Sequence, residues 1–461
     1  NYQSAWLGAR RVTGIGTDTA WRWVTGPEGL QNNGNGLIFF YQTLNGAGGS
    51  TVNGYFSNWN PGEPNNWAGG YSGSSSTEYE SAMQFTGSIG QWNDLPKTGT
   101  NLNYYVKETN ASPSSLTINA GSSSVTINGA VGGSKALSSL SITAGSQVNV
   151  NGGALVTTGT QTINQALTVT SNTGTLQIGG QITASGNVTL TGDSFQANSG
   201  TTLSTSAIGS LTIQPNSASF TSALTWPNSN LSVGSDITGL TLGKSGNQAD
   251  ITINSAQSLA GPITLYGGNI TLNANLATTN SSNGDIFITG VTGLTGSSSI
   301  SLANNRALTI FQSGTSTYSG SISGTGVTLT KSGAGTLVLT AAETYTGTTT
   351  IAAGTLQLGN GGSTGSIGTA NIYDSGTLAF NRSDTFSFSN LISGSGSLSK
   401  LGSNTLTLTN NNTYSGGSTV GGGTLQIGVD SNGSTNGALG TGLVTVQSGY
   451  TLDLYGHSVA N

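Results

Sequence analysis

The chain has 461 residues, of which only 6% are charged, 34% are hydrophobic and 73 are glycine. The net charge of −5 and the 11 scattered Lys and Arg residues argue against nucleic-acid binding, which needs clustered positive charge. The absence of cysteine excludes disulfides and thiolate metal sites, and no apolar run is long enough to predict a membrane span. This composition is typical of an all-β repeat protein with Gly, Asn and Ser turns.

Residues 1–110 differ in composition from the rest of the chain. They contain six of the seven tryptophans, which are Trp6, Trp21, Trp23, Trp59, Trp67 and Trp92. We predict a separate domain over 1–110 that closes with a strand at 104–106, followed by a linker at 111–115. Because the sequence starts with Asn and has no signal peptide, we expect it to be part of a longer polypeptide.

Residues 116–315 carry short pairs of apolar residues at i and i+2, separated by Gly/Asn/Ser turns. The pairs recur every ten to twenty residues, as in Leu116/Ile118, Val148/Val150, Leu240/Leu242 and Ile270/Leu272. Alternation over such short runs predicts one-sided strands, and no segment combines a cap with a helical stripe. We therefore predict an irregular β-helix over this range.

Residues 316–461 repeat with a fixed offset of 69. TYTGTTTIAAGTLQLG at 344–359 matches TYSGGSTVGGGTLQIG at 413–428, and TKSGAGTLVLT at 330–340 matches SKLGSNTLTLT at 399–409. A fixed period indicates stacked units. With coils of about 20–25 residues, each unit spans about three coils, and stacking at about 4.8 Å predicts a rod of roughly 70 Å after the linker.

The motifs of residues 1–110 resemble the C-type lectin-like domain. AWLGARR at 5–11, WRWVTGPEG at 21–29, NWNPGEPNN at 58–66, QWNDLP at 91–96 and YYVKE at 104–108 occur in the family's order. The family's first strand and two helices should precede residue 6 and are missing, so this α+β domain is truncated, rearranged or completed by another chain. Its usual disulfides are missing too.

The later regions resemble bacterial surface proteins. The G-x-T-L-x-L and T-Y-(T/S)-G motifs of 316–461 resemble the passenger-associated repeats of autotransporters. GPITLYGGNITLNANLATTNSSNGDIFITG at 261–290 resembles filamentous-haemagglutinin-type adhesin sequence. Both families imply a right-handed parallel β-helix. The fold class is therefore mainly β, with an α+β lectin-like head and a long solenoid.

The loop and the W-N-D strand of the head offer oxygen ligands for a hard cation such as Ca²⁺. Glu63 and Asn65 flank Pro64, and a cis bond before that proline would aim both side chains to one side. Asn93 and Asp94 add an amide oxygen and a carboxylate. The resemblance also implies an earlier glutamate, for which Glu80 fits the spacing best and Glu78 is the second candidate.

The resemblance implies calcium-dependent carbohydrate binding. We predict Ca²⁺ ligands at Glu63, Asn65, Glu80, Asn93 and Asp94, and glycan contacts at Glu63, Asn65, Asn93 and Trp67. The Glu-Pro-Asn order implies mannose- or glucose-type hydroxyls. Alternatively, the motif is only loop architecture, and Trp59 and Trp92 belong to the core.

The sequence favours a bacterial extracellular, cell-surface adhesin segment without catalytic residues, nucleic-acid partners or membrane insertion. Its solenoid carboxylates are mostly tens of residues apart, with Asp374 and Asp384 the closest pair, and His457 is the only histidine. The alternative is a structural subunit of an extracellular fibre, in which the lectin-like fold is an assembly module and open solenoid ends stack into a homopolymer.

Overall fold

The computed structural model describes the backbone of six strands between residues 5 and 95. It also describes residues 115–459, apart from 133–135, 173, 206–208, 235 and 432–436. The chain divides into two compact units, Asn1–Ser112 with Thr126–Gly129, and Pro113–Val125 with Ala130–Asn461. Every regular element described is a β-strand.

The first unit contains a six-stranded antiparallel sheet. Its strands are β1 (Ala5–Val12), β2 (Thr19–Trp23), β3 (Ile38–Gln42), β4 (Gly49–Thr51), β5 (Glu80–Met83) and β6 (Trp92–Leu95). Their order across the sheet is β4-β3-β2-β1-β5-β6. The last two strands, which carry part of the predicted calcium site, therefore lie together at one edge.

The second unit is built from short strands with turns between them. The first are β7 (Ser115–Asn119), β8 (Val125–Ile127), β9 (Ser139–Thr143), β10 (Val148–Val150), β11 (Ala154–Ile163), β12 (Leu167–Thr170), β13 (Thr175–Ala184), β14 (Val188–Thr191), β15 (Ser194–Ala197), β16 (Thr201–Thr205), β17 (Gly209–Gln214), β18 (Leu224–Trp226), β19 (Leu231–Val233) and β20 (Ile237–Leu242). The middle strands are β21 (Ile251–Ile253), β22 (Gln257–Leu259), β23 (Ile263–Leu272), β24 (Leu276–Thr278), β25 (Ile286–Gly296), β26 (Ile300–Ser301), β27 (Ala307–Gln312), β28 (Thr315–Tyr318), β29 (Ile322–Ser323), β30 (Thr328–Ser332) and β31 (Thr336–Leu339). The last are β32 (Thr349–Ile351), β33 (Thr355–Leu358), β34 (Ile372–Asp374), β35 (Thr377–Phe380), β36 (Phe386–Phe388), β37 (Ile392–Ser393), β38 (Ser397–Lys400), β39 (Thr405–Leu408), β40 (Ser418–Val420), β41 (Thr424–Ile427), β42 (Val444–Val446) and β43 (Thr451–Asp453).

These strands stack in parallel as a β-solenoid of about 14 turns. Face 1 runs without interruption through β10, β12, β14, β17, β20, β23, β25, β27, β30, β32, β34 and β37. Face 2 includes β18, β21, β23, β25, β28, β31, β33, β35, β38, β40 and β42. Face 3 includes three separate ladders, β7-β9-β11-β13-β16-β19, β22-β24-β26-β29 and β36-β39-β41-β43.

The core is a set of apolar columns inside these faces. In most strands, one or two Leu, Ile or Val residues point inward, and most of these are less than 2% exposed. The outward positions hold mainly Thr, Ser and Asn, which suit the solvated side of a strand. Consecutive coils therefore bury each other's apolar side chains, and at about 4.8 Å per coil the solenoid is roughly 65 Å long.

The sequence repeat is longer than three coils of the solenoid. Leu329 pairs with Thr349, which pairs with Ile372 and then Ile392, so three coils on face 1 lead from Leu329 to Ile392. The repeat equivalent of Leu329 comes later in the chain, at Leu398, and lies on face 2. One repeat of 69 residues is therefore three coils plus one further face long. As a result, equivalent strands of the two copies lie on neighbouring faces of the solenoid.

The structure confirms a mainly β chain and a long β-solenoid. The apolar pairs that predict strands, such as Leu240/Leu242 and Ile270/Leu272, do form buried strands. The right-handed sense of the solenoid and the lectin-like identity of the first unit stay predictions.

Candidate functional site

The strand register of the first unit brings together three of the predicted calcium ligands. In the antiparallel pair of β5 and β6, Glu80 pairs with Leu95, Ser81 with Asp94 and Ala82 with Asn93. Paired Cα atoms in such a ladder lie about 4.5–5.5 Å apart. The backbone positions of Glu80, Asn93 and Asp94 are thus at neighbouring rungs of one ladder.

The remaining predicted site residues lie outside the described residues. These are Glu63 and Asn65 of the loop motif, Trp67, and the alternative ligand Glu78. By residue type, Glu80, Asp94 and Asn93 are two carboxylates and one amide, the ligand types that Ca²⁺ takes.

Elsewhere, the described side chains include no group of three or more His, Asp or Glu residues that could hold a metal ion. Among the same residues, no helix is long and apolar enough to cross a membrane. His457 is half-buried and its Nδ1 lies 3.5 Å from the Asp430 Oδ1.

Asp374 and Asp384 are the two solenoid carboxylates closest to each other in sequence, and each has a different environment. Asp374 is fully buried, and burial raises its pKa to about 6. Asp384 accepts hydrogen bonds from Arg382 Nε at 3.0 Å and Nη2 at 2.7 Å, which keep the pKa of its carboxyl below the usual value. The same guanidinium donates to the carbonyl oxygens of Ser363 and Gly365, so Arg382 fastens a loop.

Each copy of the repeat buries one lysine in an apolar column. The Nζ of Lys331 donates to the carbonyl oxygens of Ser332 and Gly333 at 2.9 Å and of Ala353 at 3.2 Å. These three acceptors use all three donors of an ammonium group. Burial without a carboxylate partner lowers the lysine pKa to about 8.

The second copy reproduces this arrangement. The Nζ of Lys400 donates to the carbonyl oxygens of Gly402 and Gly422, on its own coil and the next. Burial lowers the pKa of Lys400 to about 8 as well. The repeated lysine therefore joins turns of consecutive coils from the inside.

A tyrosine–hydroxyl pair is also repeated. The fully buried Tyr345 and Tyr414 each place the phenolic oxygen within hydrogen-bond distance of a hydroxyl four residues later, Thr349 at 2.6 Å and Ser418 at 2.5 Å. Burial raises the pKa of both phenols, so each stays neutral. The T-Y-(T/S)-G motif thus supplies an internal polar contact beside the corner of the coil.

The two copies differ at the residue two positions before that tyrosine. Asn412 accepts a hydrogen bond from Ile392 N at Oδ1 and donates from Nδ2 to the carbonyl oxygen of Ala438. The equivalent Glu343 accepts from Ile322 N at Oε2, while its buried Oε1 has no partner among the described residues. Burial raises the pKa of Glu343 to about 8.

Sequence reasoning aligned Lys331 with Lys400 but did not assign either a place in the core. The signal was present, because both lysines occupy the inward phase of an alternating strand, as in T-L-T-K at 328–331. Lysine is rarely buried without a partner, so residue type opposes the burial that the strand phase indicates.

Comparisons with known proteins agree with this architecture. Residues 329–358 and 398–427 match the family model described as Passenger-associated-transport-repeat. The chain is also similar to the adhesin BmaC autotransporter of Brucella suis biovar 1 (strain 1330), with 48% identity over 100 residues. That alignment covers 20% of this chain and 3% of the relative. No solved structure matches the chain.

The matched repeats are the two segments that carry the buried lysines and tyrosines. The two stretches matched by the family model thus coincide with strands β30 to β33 and β38 to β41. Together, the passenger repeats and the similarity to an autotransporter adhesin indicate a surface-exposed extracellular protein.

Proposed function

We propose that the chain is a segment of a cell-surface adhesin whose first unit recognises a glycan through a bound calcium ion. The observation that carries the adhesin assignment is the pair of passenger-type repeats, built into a solenoid with an apolar interior. Such a solenoid is a mechanical scaffold, because each coil is held by its neighbours.

The recognition role of the first unit is supported by strand register and by residue chemistry. Glu80, Asn93 and Asp94 lie on paired strands at one edge of a sheet, and the loop residues Glu63 and Asn65 would complete the ligand set. Sugar hydroxyls would fill the remaining coordination positions of a calcium ion that takes six to eight oxygens. By the resemblance of the Glu-Pro-Asn order, we propose mannose- or glucose-type glycans.

The test is an adherence assay with the whole chain coupled to fluorescent beads. We expect the beads to attach to mannose-coated surfaces in calcium, and attachment to fall at least about tenfold in EDTA or in the Asp94→Ala variant. Arg306→Ala, a charge change in the solenoid, is the control that should leave attachment unchanged.

Two results would contradict the proposal. Beads that attach no better than albumin-coated beads would favour the alternative, a structural subunit of an extracellular fibre. Attachment that survives Asp94→Ala would show that this strand does not bind calcium for recognition.

A further inference from the structure

The solenoid has an interruption at one level, in the coil between Leu211 and Leu240. On face 1, Leu211 pairs with Val188 of the preceding coil and with Leu240 of the following one. The chain from Leu211 to Leu240 is longer than the chain from Val188 to Leu211, yet face 1 continues through it from β17 to β20. The extra chain lies mainly in the turn between β17 and β18.

Both other faces lose strand pairing beside this coil, one on each side of it. On face 2, β15 pairs with β13 and the next ladder begins at β18, so pairing is lost towards the preceding coil. On face 3, β19 pairs with β16 and ends one ladder before β22 begins another, so pairing is lost towards the following coil. Face 1 and one other face hold this coil to each of its neighbours.

A cavity occupies each of these separations. One has a volume of about 160 Å³ and lies between β15 and β18, with Phe195 and Thr225 in its lining. The other has a volume of about 490 Å³ and lies between the turn at Pro227 and Asn228 and the turn at Asn254 and Ser255. Thr225 and Asn228 line both, so the two cavities adjoin at these residues and together border three coils; we refer to the pair as the cleft.

The lining of this cleft is uncharged and rich in hydrogen-bonding groups. Hydroxyls and amides come from Thr225, Asn228, Ser229, Asn254 and Ser255, while Phe195, Pro227 and Leu231 supply apolar surface. A pocket of several hundred Å³ with a few convergent polar groups is the usual form of a small-ligand site.

We propose that this cleft binds an uncharged oligosaccharide. Hydroxyl-rich sugars match a lining of neutral donors and acceptors, and their apolar faces match the half-buried ring of Phe195. A cleft that spans three coils, about 10 Å along the stack, suits an elongated ligand. The site does not rest on the calcium site proposed for the first unit.

Other ligand classes fit less well. Anionic glycans and phosphates require positive groups, and no residue that lines the cleft is charged. A peptide could add to the unpaired edge of β19, but that strand has only three residues and offers few backbone hydrogen bonds.

The walls of the cleft are fixed by hydrogen bonds. Trp226, which is fully buried, donates from Nε1 to Gln257 Oε1 at 3.3 Å, and Gln257 Nε2 donates to the carbonyl oxygen of Ser255 at 2.9 Å. On the opposite wall, Asn228 Oδ1 accepts from Asn230 N at 3.0 Å. A preformed cleft lowers the entropic cost of ligand binding.

The test is a glycan array that carries neutral oligosaccharides, anionic oligosaccharides and peptides, probed with the whole chain in excess EDTA. Ser229→Tyr and Ser255→Tyr would each fill the cleft from an exposed position, and Ser297→Tyr places the same side chain on an exposed turn elsewhere. Unchanged circular dichroism of all three variants confirms that the solenoid remains folded.

We expect at least one neutral oligosaccharide to bind in EDTA, with a loss of at least about tenfold in both cleft variants and no loss in Ser297→Tyr. The proposal is overturned if no neutral sugar binds, if only anionic sugars or peptides bind, or if the cleft variants bind like the control. Because calcium is absent, the result is independent of the first unit's calcium site.

Discussion

Glu343 and Asn412 occupy equivalent positions in the two repeats, and exchanging their chemistry tests the repeat architecture. Each side chain accepts a hydrogen bond from a strand backbone nitrogen, Ile322 N for Glu343 and Ile392 N for Asn412. Asn412 also donates to a carbonyl oxygen, whereas the second oxygen of Glu343 can donate only when it is protonated. Glu343→Gln gives the first repeat a neutral amide, and Asn412→Asp gives the second repeat a carboxyl.

The pKa of Glu343 determines how strongly the free energy of unfolding depends on pH. Its folded value is about 8 against an ordinary value of 4.5, so folding favours the protonated form. The stability that this group provides is complete below pH 4.5 and is lost as pH rises to about 8. Each pH unit in that window corresponds to about 1.4 kcal/mol, which gives a total of about 5 kcal/mol at most.

The measurement is the free energy of unfolding in guanidinium at each pH from 4 to 9, for the wild type and both variants. We expect wild-type stability to fall relative to Glu343→Gln across this range, and Asn412→Asp to introduce a second fall of the same sign. The difference between the wild type and Glu343→Gln isolates this group from other titrating residues. A difference that does not change with pH would refute a buried, protonated Glu343.

Three further predictions concern the interior of the solenoid. Burial lowers the pKa of Lys400 from 10.5 to about 8, so the folded state favours the neutral amine. The unfolding free energy of the wild type should therefore rise relative to that of Lys400→Met by about 1 kcal/mol per pH unit between pH 8 and 10.5. Lys244→Met, outside the core, is the matched control. Gly422→Ala should destabilise by more than about 1 kcal/mol, because its Cβ would lie 1.8 Å from a backbone oxygen of the preceding coil; Gly362→Ala, with open space around it, should cost less in the same denaturation assay. Leu356→Ala, at a fully buried position, should lower the unfolding free energy by about 2–5 kcal/mol, and a loss below about 1 kcal/mol would contradict its place in the core.

The sequence predicted the solenoid well because its coils follow a strong local rule. Apolar residues alternate with Thr or Ser over three or four positions, as at Leu240–Leu242, and each such run becomes one face of a coil. The number of coils in each 69-residue repeat was harder to predict from the sequence. The successive coils that start at Leu329, Thr349 and Ile372 are unequal in length, and the period ends at Leu398, one face beyond the third coil.

The features that the sequence did not reveal depend on contacts between coils. Lys331 is buried because carbonyl oxygens of two coils converge on its Nζ, and no local pattern encodes that convergence. The cleft beside Thr225 lies where face 2 loses pairing before one coil and face 3 loses pairing after it, while face 1 continues. In the first unit, the resemblance implied a glutamate before the W-N-D strand, and Glu80 as a calcium ligand stays a prediction; its strand β5 pairs with β6, which carries Asp94.

Calcium-dependent recognition by the first unit, as proposed above, can be measured by calorimetric titration of the whole chain with calcium. We expect saturable binding that is lost when Glu63→Ala and Asn65→Ala are combined, with unchanged far-ultraviolet circular dichroism from the solenoid. Absence of calcium binding by the wild type, or equal binding by the double variant, would contradict it.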